Sequence, residues 1–109
     1  MSKYSVKITP DAQVQMQATT TYIAAELQAK DTARKWLAAM KKGLASLSSM
    51  PARIPLTPEE PWHGQGIHRL LIGNFYAYFW IDEEKKRVWV IAVIYARADQ
   101  AAQLTRMGI

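Results

Sequence analysis

The segment RVWVIAVIY, residues 87–95, limits the possible folds of this chain more than any other part of the sequence. Its apolar residues occupy both odd and even positions from Val88 to Ile94. A strand with one face in water alternates polar and apolar side chains, whereas a strand that is apolar on both faces must be covered on both. We therefore predict a central strand, covered on one side by helices. The other side would be covered by the tail ADQAAQLTRM, residues 98–107, as a short amphipathic helix, or by a partner protein.

Two further strands are predicted just before this segment. Residues 67–72, IHRLLI, and residues 75–82, FYAYFWID, are separated by Gly73-Asn74, which is a typical tight-turn pair, and residues 83–86 form a second turn. The three strands form an antiparallel meander. Alternation in the middle strand places two sets of side chains on opposite faces: Phe75, Ala77, Phe79 and Ile81 on one, and Tyr76, Tyr78 and Trp80 on the other.

The first half of the chain has the pattern of one short strand and two helices. Tyr4, Val6 and Ile8 alternate with polar residues, which indicates a strand, and Thr9-Pro10-Asp11 has the residues of a helix start. The first helix should extend to about residue 27, with its buried side formed by Val14, Ala18, Tyr22, Ile23, Ala25 and Leu27. After a break at residues 29–31, the second helix should bury Ala33, Trp36, Leu37, Met40, Leu44 and Leu47.

Residues 48–66 connect the helices to the meander and contain four prolines and two glycines, which predicts an ordered loop. The resulting order is strand, helix, helix and three strands. It predicts an α+β fold in which a small antiparallel sheet packs one face against a helical hairpin, with a short C-terminal helix. A chain of 109 residues is expected to form a single domain over residues 1–109.

Composition narrows the function classes. The chain has no cysteine, and no apolar run approaches the ~20 residues of a membrane span, so we expect a cytoplasmic protein with no membrane partner. We expect no cofactor and no metal, because dinucleotide, P-loop, zinc-protease and nucleophile-elbow motifs are missing from the sequence. His63 and His68 lack a third ligand, and Glu59-Glu60 is expected to be a solvated loop pair.

Three groups of residues are candidates for binding. The basic residues of the second helix could follow a phosphate backbone or simply be a solvated face, and Tyr76, Tyr78 and Trp80 could stack bases or serve as packing. Arg69 lies inside a strand where Val, Ile or Thr would be usual, and Arg97 follows the central strand directly. The two arginines could form an anion site, or each could make an ordinary salt bridge.

The ordered combination of YSVKITPDA, a helical hairpin, GIHRLLIGNFYAYFWIDEE and VWVIAVIYARADQ resembles the RelE/ParE superfamily of toxins from bacterial type II toxin–antitoxin modules. The resemblance covers roughly residues 4–104. It implies a growth-inhibiting toxin held in a hetero-oligomer by an acidic antitoxin that wraps over it. Two targets are known in the superfamily: DNA gyrase, inhibited by binding in ParE-like members, and mRNA on the ribosome, cleaved by RelE-like endonucleases. A non-toxic basic protein-binding module is a further alternative.

The resemblance also assigns the candidate residues. Arg69 and Arg97 match basic positions of the superfamily and would be catalytic in a RelE-like nuclease, or would bind the target or an anion together with Tyr76 and Tyr78. Tyr76 stands where RelE-like enzymes carry an arginine, Ala98 stands where relatives often have a second one, and the tail has no Tyr or His. Because these departures remove candidate acids and bases, the sequence favours ParE-like inhibition without an enzymatic step.

Overall fold

The computed structural model describes residues 3–109 and has the predicted order of elements. The strands are β1 (Ser5–Ile8), β2 (His68–Ile72), β3 (Phe75–Asp82) and β4 (Arg87–Tyr95). The helices are α1 (Pro10–Thr21), α2 (Lys30–Ala45) and α3 (Gln100–Arg106), with one π-helical segment at Tyr22–Glu26 that continues α1. The Thr9 side chain caps α1 by accepting a hydrogen bond from the Ala12 amide, as the sequence of this helix start predicts.

The four strands form one sheet in the order β1-β4-β3-β2, so the doubly apolar strand β4 is central, as predicted. The α+β class and the antiparallel meander β2-β3-β4 are confirmed. One detail differs, because β1 pairs with β4 in parallel and the sheet is therefore mixed. Parallel strands require a long crossover connection, and the helical hairpin with the following loop carries the chain from β1 across the sheet to β2.

One face of the sheet packs against the helical hairpin. Phe79 and Val90 are fully buried there, against Met40, Leu44 and Leu47 from the second helix and the turn after it. The predicted apolar side of α2 is therefore confirmed. Gly43 lets this helix approach β2 closely, because a β-carbon at that position would lie 2.6 Å from Ile72 Cδ1.

The predicted buried side of the first helix is wrong. Ala12 and Met16 are the buried residues of α1, whereas Val14 is 67% exposed, Tyr22 56% and Leu27 57%. Val14 lies about 200° around the helix from Ala12, at 100° per residue, so the two sets of positions cannot share a face. Since Ala12 is small, apolar periodicity favoured the side with the larger residues, although α1 turns that side to solvent.

The other face of the sheet is covered by the chain itself. Leu104 of α3 is fully buried there, together with Trp62 and Ile67 from the proline-rich loop and Ala92 and Ile94 from β4. The tail is fastened at its end, because Trp62 Nε1 donates a hydrogen bond to the Ile109 carbonyl oxygen at 2.9 Å. The tail helix predicted to cover β4 is thus confirmed. Within residues 3–109, no helix is both long and apolar enough to cross a membrane.

Candidate functional site

Arg69 is half-buried on β2, where its backbone pairs with that of Tyr78. Its Nη1 atom donates a hydrogen bond to Glu59 Oε2 at 3.0 Å, and its guanidinium carbon lies 4.0 Å from the centroid of the Tyr76 ring. Ion pairing and stacking on an aromatic ring together fix the plane of the guanidinium. Arg69 therefore makes the salt bridge that the sequence left as one of two alternatives. Its guanidinium also has N–H groups that remain near solvent.

Glu59 comes from the proline-rich loop and is not the solvated residue that we expected. Its carboxylate accepts hydrogen bonds from Arg69 and from the hydroxyl of Thr57, and Thr57 is fully buried. Glu60 does remain exposed, where it accepts a hydrogen bond from the Gly64 amide at 2.8 Å. The contact with Arg69 spans ten positions of an irregular loop, so no local pattern in the sequence indicates it.

Tyr78 is completely buried beside Arg69. Its hydroxyl donates to Gln100 Oε1 at 2.7 Å, and Gln100 Nε2 in turn donates to the carbonyl oxygens of Tyr95 and Ala98, both at 2.8 Å. Burial raises the pKa of Tyr78 from 10.0 to about 12, against an opposing effect of Arg69. Tyr78 is therefore a neutral hydrogen-bond donor inside the protein, and its ring offers no surface to a ligand. Sequence reasoning missed Gln100, its buried partner.

Arg97 differs from Tyr78 and Arg69 in its exposure. It is exposed in the turn after β4, and within the described residues it makes no salt bridge or side-chain hydrogen bond. The pairing position of Arg69 is three residues from one end of the sheet, and Arg97 follows β4 at that same end. Strand β3 lies between β2 and β4. Strand geometry then separates the two backbones by on the order of 15 Å along the sheet and about 10 Å across it. The arginines do not converge on one anion.

An apolar groove of about 650 Å³ lies between the C-terminal part of the first helix and the adjoining ends of β3 and β4. Tyr22 and Leu27 form exposed parts of its wall, and Phe75 and Tyr95 also line it, with their ring centroids 5.5 Å apart and their planes tilted by 58°. The full lining is Ala18, Thr19, Tyr22, Ile23, Leu27, Phe75 and Tyr95. Four of the six apolar residues of the first helix that we predicted to be core thus line a surface groove.

Beside this groove one edge of β4 has no neighbouring strand, because β1 ends at Ile8 while β4 continues to Tyr95. Gln15 of α1 covers one position of that edge, where its Oε1 atom accepts a hydrogen bond from the Val93 amide at 2.7 Å. The Gln15 amide nitrogen contacts Met107 Sδ at 3.1 Å and so links α1 to the tail. Gln15 thus joins three elements beside the groove: α1, β4 and the tail.

The two histidines are both engaged with the backbone of the proline-rich loop. His63 Nδ1 lies 2.9 Å from the Thr57 carbonyl oxygen, and His68 Nδ1 lies 2.7 Å from that of Ile54. The His68 ring also stacks on Phe79, with centroids 5.0 Å apart. Across residues 3–109, no three His, Cys, Asp or Glu side chains are grouped so as to hold a metal ion.

The chain matches the model of a known protein family. Residues 6–100 match the family model described as the ParE toxin of the type II toxin–antitoxin system parDE. No curated protein sequence gives a match.

Three solved structures with the same fold are of toxins or of toxin–antitoxin systems. The chain is similar to one from the chromosomal ParDE system of P. aeruginosa, with a TM-score of 0.72 and 18% identity over 89% of this chain and 100% of that one. It is also similar to a chain of a RelBE toxin–antitoxin complex from Mycobacterium tuberculosis, with a TM-score of 0.61 and 21% identity over 85% of this chain and 98% of the other. A mutant of the E. coli toxin RelE in the free state gives a TM-score of 0.57 and 16% identity over 95% and 97% of the two chains.

Proposed function

Because the chain belongs to the ParE toxin family of type II toxin–antitoxin systems, we propose that it inhibits bacterial growth by ParE-like binding to DNA gyrase. The observation that carries this proposal is that other parts of the chain cover the sheet face around Arg69. Tyr78 is enclosed there by α3 and the proline-rich loop, and Arg69 is already paired with Glu59.

The same observation disfavours RelE-like cleavage of mRNA. Attack by a ribose 2′-hydroxyl needs a base, a cation for the developing charge and an acid for the leaving oxygen, all converging on one phosphate. Arg69 and Arg97 lie too far apart to meet there, and the neutral Tyr78 hydroxyl is committed to Gln100. An inhibitor that acts by binding requires none of these proton-transfer groups, and for such an inhibitor Arg97 and the Arg69–Tyr76 pair would be contact residues.

The apolar groove on the first helix is the proposed seat of the antitoxin. Its exposed tyrosines and leucine resemble the apolar centre of a protein interface, and such a surface is unfavourable in water without a partner. A net charge of +5 favours an acidic partner, and the similar ParDE and RelBE structures come from toxin–antitoxin systems. We propose that an amphipathic antitoxin segment lays its apolar side chains into this groove.

The gyrase proposal is tested by adding the purified protein to bacterial DNA gyrase and relaxed plasmid. We expect supercoiling to be inhibited and cleaved DNA to accumulate, with the heat-denatured protein as the control. Unchanged supercoiling, together with codon-specific cleavage of mRNA in a translation extract, would instead identify a RelE-like endonuclease. If neither reaction were affected, a non-toxic binding module would account better for the fold.

A further inference from the structure

Helix α2 carries most of the net charge of the protein. It contains five basic residues and one acidic residue, a net charge of +4 on a chain whose total is +5. Its basic residues are all exposed: Lys30, Arg34, Lys35, Lys41 and Lys42. None of them lines the apolar groove, so this charge belongs to a separate surface.

These cations form two rows along the solvent side of the helix. At 100° per residue, Lys30, Arg34 and Lys41 fall in one row, and Lys35 and Lys42 in the other. Exposed small residues, Ala38 and Ala45, lie between the rows. The repeat within a row is seven residues, for Arg34 to Lys41 and for Lys35 to Lys42, which corresponds to about 10 Å along the axis.

The stability of the helix does not explain this arrangement. Lys30 is the first residue of α2, where the helix dipole disfavours a positive charge, and it lies four residues from Arg34, where like charges repel. Only Arg34 has an acidic partner in the described residues, Asp31 at 3.3 Å, and both of these side chains are at least 80% exposed. The remaining cations are free to neutralise charge on a ligand.

We propose that the solvent face of α2, with its two rows of cations, binds the phosphate backbone of duplex DNA. Protein interfaces are centred on buried aromatic and aliphatic anchors, whereas between its cations this face offers only the small residues Ala38 and Ala45 and the acidic Asp31. Single-stranded nucleic acid is held by stacking on aromatic rings, which the face also lacks. A 16-residue helix with cations in two rows along its length suits the phosphates of a duplex, and DNA bound in this way would be recognised without regard to sequence.

The test is the salt dependence of binding to a fluorescently labelled DNA duplex of arbitrary sequence. Each phosphate neutralised by a lysine adds about 0.9 to the slope of log Kobs against log salt concentration. The variant Lys35→Gln/Lys42→Gln should therefore lower the slope by about 1.8 and weaken binding by about tenfold per lysine at 0.1 M salt. Glutamine is a good helix former, so α2 should persist, which circular dichroism can verify.

The matched control is Lys3→Gln/Lys7→Gln, which removes the same charge from exposed residues at the other side of the sheet. We expect the slope of this control to differ from that of wild type by less than about 0.9, the contribution of one phosphate contact. Equal losses in both variants would overturn the proposal, because net charge alone would then explain binding. It would also be overturned if the protein failed to bind duplex at low salt, bound single-stranded DNA or duplex RNA more tightly, or were displaced as well by poly-glutamate as by unlabelled duplex. The assay contains no gyrase, so it is independent of the proposed target.

Discussion

Tyr78 and Arg69 are neighbours on β3 and β2, and the side chain of each contacts a segment outside the sheet. The buried Tyr78 hydroxyl donates to Gln100, which is itself held by backbone carbonyls at the start of α3. Arg69 spans the same sheet face to reach Glu59. Both therefore attach peripheral segments to the sheet, whereas Arg97 makes no such attachment within residues 3–109.

The sequence identified these positions but could not assign their partners. Arg69 was noticeable because arginine is unusual inside an apolar strand, and alternation placed Tyr76 and Tyr78 on one face. Their partners Glu59 and Gln100 come from a loop and a tail whose paths depend on the whole fold. The spacing of residues within one helix or strand carries no information about such contacts between distant segments.

Replacing Tyr78 with phenylalanine should change the pH dependence of stability. The pKa of this tyrosine is raised in the folded state, so its contribution is complete below about pH 10 and is lost as pH rises through about 12. A shift of this size corresponds to about 2–3 kcal/mol. Denaturant unfolding should therefore show a smaller alkaline loss of stability in Tyr78→Phe than in wild type, because other groups that titrate in this range, such as Lys86, remain.

The same variant should also be less stable near neutral pH by about 1–3 kcal/mol, because the buried Gln100 oxygen loses its donor. Tyr76→Phe is the control, since the Tyr76 hydroxyl makes no hydrogen bond within the described residues and its ring still stacks under Arg69. An identical alkaline profile for wild type and Tyr78→Phe would show that Tyr78 is accessible.

Arg97→Ala should reduce growth inhibition without affecting folding. The side chain is exposed and makes no described contact, so its loss should change the free energy of unfolding by less than about 0.5 kcal/mol. Toxicity on induced expression and thermal melting of the purified protein provide the two measurements. A collapse of the melting temperature, with toxicity falling in proportion, would make Arg97 a structural residue.

The secondary-structure elements were largely predictable, but their orientation was not. The alternation in β3, the doubly apolar β4 and the apolar side of α2 all correspond to the faces that these elements bury. For the first helix, two sides carry apolar residues, and the choice between them depends on how α1 crosses the sheet. The parallel direction of β1 likewise follows from the crossover, because four residues of alternating sequence specify no direction.

Gly43→Ala tests the packing of α2 on β2. Alanine should gain about 1 kcal/mol in helix propensity, but its β-carbon would meet Ile72 Cδ1 and Cγ1 at 2.6 and 2.9 Å, and overpacking typically costs about 1–3 kcal/mol. We expect a net loss of about 1 kcal/mol in denaturant unfolding. Ile72→Val removes Cδ1 and should cost less in the Gly43→Ala background than in wild type. A stabilised Gly43→Ala protein would mean that the two elements lie further apart.

On the scale of the whole molecule, three surfaces are separate. The sheet face around Arg69 is covered by the tail, the first helix and the strand ends form an apolar groove, and α2 presents most of the net charge. An antitoxin in the groove would leave the α2 face open. This division would allow an antitoxin and a second, negatively charged partner to bind the protein at different surfaces.

The most direct test of the account is to induce the protein in bacterial cells and follow DNA and mRNA damage in the same culture. We predict that growth slows and that double-strand breaks and the SOS response appear while mRNA remains intact. Arg97→Ala should weaken both effects. Slowed growth with mRNA cut inside translated codons and no SOS response would contradict gyrase inhibition, and unaffected growth at a high level of folded protein would contradict the assignment as an active toxin.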